Sequence, residues 1–170
     1  MNQPPSKPTP ALVLFGGMGA GPLFVAPQKR AFRDAMLVPP WPAPRPRESV
    51  ADYAARWAAA LQPNLPADRP VFLAGVSFGG MIAQEIATRL DPPPRGVILI
   101  ASGRSGRAVA PLYRTLERLA HPLPWRLAKP IAPLIGYLHG IQMRLGPAHR
   151  RLLARVGGRL DLSLTRWCAR

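Results

Sequence analysis

Short apolar runs alternate with helical patterns over the first hundred residues. The runs cover residues 11–15, 36–38, the segment from 71 to a Gly-x-Ser-x-Gly motif, and 96–101. The last run is apolar throughout, which predicts a strand covered on both faces. Between the second and third runs, apolar positions from Val50 to Leu61 recur at helical spacing. Strands that alternate with helices predict an α/β fold with a mostly parallel sheet.

The predicted helix that begins at Val50 has a clear start signal. Ser49 is a good N-cap, and Asp52 occupies the capping-box position three residues later. Asp52 and Arg56 stand four residues apart and are expected to form an exposed ion pair. These residues are therefore interpreted as structural.

From Ser102 onward the pattern is helical only. Apolar positions mark helical segments that start near residues 111, 131 and 149. Helices that follow a sheet strand predict a lid over a site, and ordinary packing on a sheet face is the alternative. The predicted organisation is a flexible, proline-rich leader at 1–10, an α/β core at 11–103 and a helical lid at 104–170.

The motif at 75–79, Gly-Val-Ser-Phe-Gly, lies between a predicted strand and a helix predicted from Phe78 to Leu90. A strand, a sharp turn and a helix are the context of a nucleophile elbow. Ser77 is the candidate nucleophile, because such a turn lifts its hydroxyl out of the sheet. The N–H of Phe78, at the start of the helix, is a candidate donor to a developing oxyanion. A Gly-Ser turn without chemistry is the alternative.

A glycine-rich loop follows the first apolar run at residues 16–21. A dinucleotide-binding turn needs G-x-G-x-x-G, but counting from Gly17 the last position holds Pro22. Hydrolases with an elbow use a loop after an earlier strand for a second oxyanion donor. Met18 is the candidate for that N–H, and a tight strand exit is the alternative.

The net charge of +15 is concentrated in residues 104–170, which carry 13 basic and 2 acidic side chains. No basic block is continuous and no aromatics interleave with the arginines, so a solvated helical face is favoured over a nucleic-acid surface. Docking on anionic membranes or nucleic acid remains an alternative. No apolar run approaches the roughly 20 residues of a membrane span, so no stable insertion is expected. The single Cys168 fits a reducing compartment, and a cytoplasmic location is predicted.

Three stretches resemble small bacterial α/β-hydrolases. They are Gly16 to Ala20, Arg47 to Ala54 and Gly75 to Glu85, and the likeness extends over residues 11–170. The resemblance implies a serine hydrolase that acts on ester, thioester or amide bonds of a small molecule through an acyl-enzyme. It implies no metal or organic cofactor. Ser77 would be the nucleophile, and Met18 and Phe78 would supply the oxyanion N–H groups.

The rest of the family's triad is not evident. Its order along the chain is Ser, then Asp or Glu, then His. The acidic residues after Ser77 are Glu85, Asp91, Glu117 and Asp161, and the histidines are His121, His139 and His149. No histidine follows Asp161, Asp91 closes the elbow helix, and the histidines are expected to be surface or packing residues of the lid. These 170 residues are therefore predicted to be an N-terminal portion with impaired activity, and a non-catalytic binding protein is the alternative.

The strand predicted at 96–101 carries a further consequence of the resemblance. In the family's sheet order it should pair with another strand, which is absent from this sequence. An unpaired apolar edge invites association with other chains. Self-association and poor solubility are therefore predicted.

Overall fold

A parallel sheet of four strands organises the structure. The computed structural model describes residues 9–17, 22–104, 130, 132–158 and 167. The strands are β1 (Ala11–Phe15), β2 (Met36–Leu37), β3 (Val71–Val76) and β4 (Gly96–Ile100). They lie in the order β2-β1-β3-β4, and every neighbouring pair is parallel. The predicted parallel α/β architecture is confirmed.

Five α-helices accompany the strands in the described ranges. They are α1 (Ala26–Phe32), α2 (Val50–Leu61), α3 (Phe78–Ala87), α4 (Ala132–Gln142) and α5 (Pro147–Gly158). Short 3-10 turns cover Pro22–Val25, Arg33–Ala35 and Gln62–Asn64. Helix α1 was not predicted. It buries no residue, and a helix without a buried face lacks the apolar stripe by which helices are recognised in a sequence. Helix α3 ends three residues before the predicted Leu90.

Helix α2 begins as predicted, but its ion pair is different. The Ser49 hydroxyl accepts the N–H of Asp52 at 3.1 Å and donates to the Asp52 carboxylate at 2.6 Å. Arg56 instead donates through Nε and Nη2 to the two carboxylate oxygens of Glu48, each at 2.8 Å. The predicted Asp52–Arg56 pair is therefore wrong, because Ser49 engages Asp52 and Glu48 offers Arg56 a bidentate partner.

Apolar side chains form a cluster on each face of the sheet. Alternate residues of a strand point to opposite faces, so Phe15 belongs to one cluster and Leu14 to the other. The larger cluster holds α2 and α3 against β1 and β3, and it includes a T-shaped contact between Phe15 and Trp57 with ring centroids 4.9 Å apart. The elbow helix is therefore anchored through its buried face, where Ile82 and Ile86 are fully enclosed.

Strand β4 is more exposed than its apolar sequence predicts. Its residues Val97, Ile98, Leu99 and Ile100 are 37–47% exposed. The strand is at the end of the sheet and pairs with β3 alone among the described strands. The expectation of a strand covered on both faces is wrong for the described residues, whereas an apolar sheet edge is present.

Helices α4 and α5 pack closely on each other. A Cβ at Gly136 would lie 2.5 Å from the carbonyl oxygen of Leu153, so glycine permits the close approach. Helix α5 also contacts the 3-10 turn at Pro22–Val25. Residues 1–8 of the predicted leader and 105–129 of the predicted lid, with Glu117 and His121, lie outside the described residues. Within the described ranges, no helix combines the length and apolar character that crossing a bilayer requires.

Candidate active site

Ser77 occupies a strained turn between β3 and α3. Its backbone angles are φ 52° and ψ −123°, a region that residues with a side chain rarely adopt. The residue is exposed, although both of its neighbours are at least partly buried. No hydrogen bond joins the Ser77 hydroxyl to any residue that the structure describes. The hydroxyl is thus free to meet a ligand from solvent.

The motif glycines allow α3 to begin directly over the sheet. A Cβ at Gly75 would lie 2.3 Å from the oxygen of Gly79 and from the nitrogen of Gly80. A Cβ at Gly79 would lie 2.1 Å from the carbonyl oxygen of Gly16. The turn therefore needs glycine at both positions for steric reasons.

The glycine-rich loop starts beside Ser77. The Cβ position of Gly17 is 3.9 Å from the Cβ of Ser77 and 3.7 Å from the oxygen of Val76. The two segments that the sequence analysis assigned to one site are thus adjacent. Met18, the candidate for the second oxyanion donor, lies outside the described residues.

The peptide N–H of Phe78 is unpaired within the described part of the chain. Phe78 is the first residue of α3, so its N–H has no partner inside the helix. This N–H lies at the helix end that carries a partial positive charge. An oxyanion formed on a ligand attached to Ser77 would be stabilised there.

The last residue of β4 and the residues just after it hold the elbow in place. The Ser77 N–H donates to the oxygen of Ile100 at 2.9 Å, and the Ser102 hydroxyl donates to the oxygen of Ser77 at 2.6 Å. Gln84 Nε2 donates to the oxygens of Gly80 and Gly103, each at 3.1 Å. The sequence analysis assigned no role to Ser102 or Gln84. The one signal for Ser102 in the sequence is its position directly after the strand predicted at 96–101, because α/β proteins bind ligands at the carboxyl ends of their strands.

Aromatic rings pack beside the elbow. The Phe78 ring lies 6.0 Å from the rings of both Trp41 and Trp167, measured between centroids. The Trp167 ring also packs against Tyr53 at 4.4 Å, and its indole N–H donates to the oxygen of Glu48 at 2.7 Å. The buried side chain of Phe78 is therefore held on two sides, which fixes the start of α3.

The described acidic residues after Ser77 are engaged elsewhere. The carboxylate of Glu85 pairs with Arg89, just beyond the end of α3, at 2.8 Å. The backbone of Asp91 exchanges two hydrogen bonds with the side chain of Gln62, beyond the far end of α3. Helix α3 has ten residues and is about 15 Å long, so Asp91 is distant from Ser77. Asp161 lies outside the described residues.

Two histidines lie on the described helices. His149 is exposed on α5 and makes no hydrogen bond to Ser77 among the described residues, and His139 lies on α4. Among the described residues no cluster of three or more His, Cys, Asp or Glu side chains could hold a metal ion. Among the described carboxylates, that of Glu48 has a shifted pKa: the hydrogen bonds from Arg56 hold it below its usual value. That pair joins the loop before α2 to the helix itself.

A parallel sheet in which an exposed serine occupies a strained turn between a strand and the following helix has the arrangement of the α/β-hydrolase fold. A family model described as "Thioesterase domain" matches residues 11–121, more than half of the chain. The chain therefore belongs to the thioesterase domain family. The predicted resemblance to α/β-hydrolases is confirmed.

Comparisons with known proteins give one solved structure of the same fold, one weaker structural alignment and one short sequence match. The RedJ thioesterase from the prodiginine pathway of Streptomyces coelicolor aligns with a TM-score of 0.54 and 21% identity, over 97% of this chain and 65% of that one. YbtT, a type II thioesterase from the yersiniabactin pathway, aligns with a TM-score of 0.43 and 17% identity, over 98% of this chain and 68% of that one. A nonribosomal peptide synthetase, agiA of Aspergillus flavus, is 44% identical over 48 residues, which are 28% of this chain and 1% of that protein. The chain thus spans about two thirds of the RedJ thioesterase and a small part of the synthetase.

Proposed function

We propose that this protein hydrolyses thioesters through an acyl-enzyme formed on Ser77. Membership of the thioesterase domain family supports the substrate class and favours thioesters over the other esters and amides considered from the sequence. The observation that carries the proposal is the strained, exposed Ser77 next to the N–H of Phe78, which has no partner among the described residues. The partial match to a peptide synthetase supports an acyl or peptidyl group as the acid portion.

In the proposed reaction, the Ser77 oxygen attacks the carbonyl carbon of the thioester and its proton passes to a general base. The carbonyl oxygen becomes an oxyanion, which accepts hydrogen bonds from the N–H of Phe78 and, in this proposal, from that of Met18. Collapse of the intermediate breaks the carbon–sulfur bond and releases the thiol, which takes the proton from the base. Water then cleaves the acyl-serine by the same route, which releases the acid and restores Ser77.

The general base is the part of this reaction that the described residues do not supply. No described histidine or carboxylate hydrogen bonds to Ser77, and without a base a serine hydroxyl is a weak nucleophile. We therefore propose that these 170 residues alone have impaired activity, limited to what the oxyanion hole and binding provide. The same observation favours a second candidate, a thioester-binding protein without catalysis.

We also propose that α4 and α5 belong to a lid over this site. Their support is the contact between α5 and the turn at Pro22–Val25, which follows the glycine-rich loop beside Ser77. A lid in this position would shield the acyl-enzyme from bulk water.

A fluorophosphonate probe tests the proposed nucleophile. The Ser77 oxygen would form a bond to phosphorus as the phosphorus–fluorine bond breaks, and the site would be located by mass spectrometry of the labelled peptide. We expect labelling of the wild-type protein and of Thr88→Ala, which removes a hydroxyl at the other end of α3, but not of Ser77→Ala. A folded wild-type sample that stays unlabelled would support the binding protein instead.

A further inference from the structure

The hydroxyl of Ser102 reaches the elbow from a different strand. Ser102 lies two residues beyond β4, after Ala101, whose φ of 46° turns the chain sharply. Its hydroxyl donates to the carbonyl oxygen of Ser77 at 2.6 Å. Because that proton is already donated to the backbone, Ser102 is not available as a donor to substrate.

This carbonyl belongs to the same peptide unit as the N–H of Phe78. A peptide unit is planar and trans, so its C=O and N–H point in opposite directions. The oxygen of Ser77 accepts two hydrogen bonds, from the Ser102 hydroxyl and from the N–H of Gly80 at 3.0 Å. Two donors on one oxygen fix the orientation of the plane. The N–H on its opposite side has no partner in the part of the chain that the structure describes.

We propose that Ser102 is a positioning residue of the oxyanion hole. Its hydrogen bond to the carbonyl of Ser77 orients the N–H of Phe78 and polarises it, because hydrogen bonds on the two ends of one peptide strengthen each other. The effect on oxyanion stabilisation rests on the proposed function. The orientation of the peptide follows from the contacts alone.

The surroundings of Ser102 suit a positioning role. Strand β4, which ends two residues before Ser102, is tied to the elbow by the hydrogen bond from the Ser77 N–H to the oxygen of Ile100. Gln84 ties the next residue, Gly103, to helix α3. A Cβ at Gly80 would lie 2.3 Å from the Ser102 oxygen, so glycine leaves the space that the hydroxyl fills. The strained backbone of Ser77 is thus held from a second strand.

Two substitutions separate the hydrogen bond from packing. Ser102→Ala removes the hydroxyl, and Ser102→Cys keeps a polar atom there but replaces the strong donor with a weak one. Thr88→Ala is the matched control, since the Thr88 hydroxyl also donates to a carbonyl of α3, that of Glu85, at the end remote from Ser77. Thermal unfolding confirms that each variant is folded.

The first readout is the rate of Ser77 labelling by the fluorophosphonate. At saturating probe we expect Ser102→Ala and Ser102→Cys to react about 3–10-fold more slowly, the equivalent of one hydrogen bond. The probe concentration for half-maximal rate should not change, and Thr88→Ala should match wild type. A wild-type rate in Ser102→Cys would assign the residue to packing and overturn the proposal.

The second readout does not require a reactive enzyme. In the free protein, the NMR signals of the Ser77 carbonyl carbon and the Phe78 amide proton should move upfield in both Ser102 variants and stay in place in Thr88→Ala. Unchanged signals would overturn the proposal even if labelling slowed. If the signals move but wild-type protein is not labelled, the proposed function fails while the orienting role of Ser102 stands.

Discussion

Replacement of Gly79 by alanine tests whether the elbow depends on direct backbone contact. Gly79 is the second residue of α3, where two effects oppose each other. Alanine is the better helix former by about 1 kcal/mol, so helix propensity alone predicts a more stable protein. The structure predicts the reverse, because an added Cβ would collide with the end of β1.

The size of the collision sets the expected effect. The new Cβ would lie 2.1 Å from the oxygen of Gly16 and 2.5 Å from that of Phe15, whereas ordinary contact begins at 3.4 Å. Both atoms belong to the backbone, so α3 and β1 would have to separate by more than about 1 Å, at a cost near or above the usual 1–3 kcal/mol of overpacking. After the gain in propensity, we expect the free energy of unfolding to fall by about 2 kcal/mol.

Urea unfolding followed by circular dichroism measures this change. Gly17→Ala is the control, because among the described residues its Cβ would be no closer than 3.7 Å to any atom and its φ is not in the left-handed region. Its unfolding free energy should stay within about 0.5 kcal/mol of wild type. If Gly79→Ala were as stable as wild type or more so, helix propensity would dominate and the steric account of the elbow would be refuted.

Two further predictions concern the Glu48–Arg56 ion pair and the exposed edge of the sheet. Because Arg56 lowers the pKa of Glu48, this carboxylate contributes stability above its unfolded-state pKa, and the contribution is lost as the pH falls through the lower folded-state pKa. Glu48→Gln should therefore flatten the acid-side loss of stability, measured by urea unfolding between about pH 7 and pH 3, and an unaltered slope would contradict the pairing. Ile98→Lys on the exposed β4 edge should raise the monomer fraction in size-exclusion chromatography at physiological salt, whereas a sharp monomer peak for wild type would rule out the predicted self-association.

The strands and the elbow could be predicted from sequence because their signals are local. An apolar run that ends in Gly-x-Ser-x-Gly and passes into a helix shows all three parts of the elbow within about 20 residues. The start of α2 was equally predictable, because the Ser49 hydroxyl caps the helix by accepting the N–H of Asp52, only three residues away. Helix α1 lacked a signal since it buries no side chain.

Contacts between distant segments could not be read in this way. The i,i+4 rule assigned Arg56 to Asp52, but the preceding loop brings Glu48 to Arg56 in a bidentate geometry. The hydrogen bond from Ser102 to Ser77 joins residues 25 apart and depends on β3 and β4 being neighbours. Sequence spacing carries no information on strand order, so the contact of Ser102 with Ser77 could not be predicted.

Strand order explains why these segments meet. In parallel strands the carboxyl ends share one edge of the sheet, and β3 is paired on one side with β1 and on the other with β4. The register sets Phe15 opposite Gly75 and Val76 opposite Ile100, so the chain leaves all three strands at the same level. The start of the glycine-rich loop at Gly16 and Gly17, Ser77 and Ser102 therefore converge from three strands. A nucleophile at the end of an edge strand would have such support on one side only, which is a physical reason for the elbow to occupy β3.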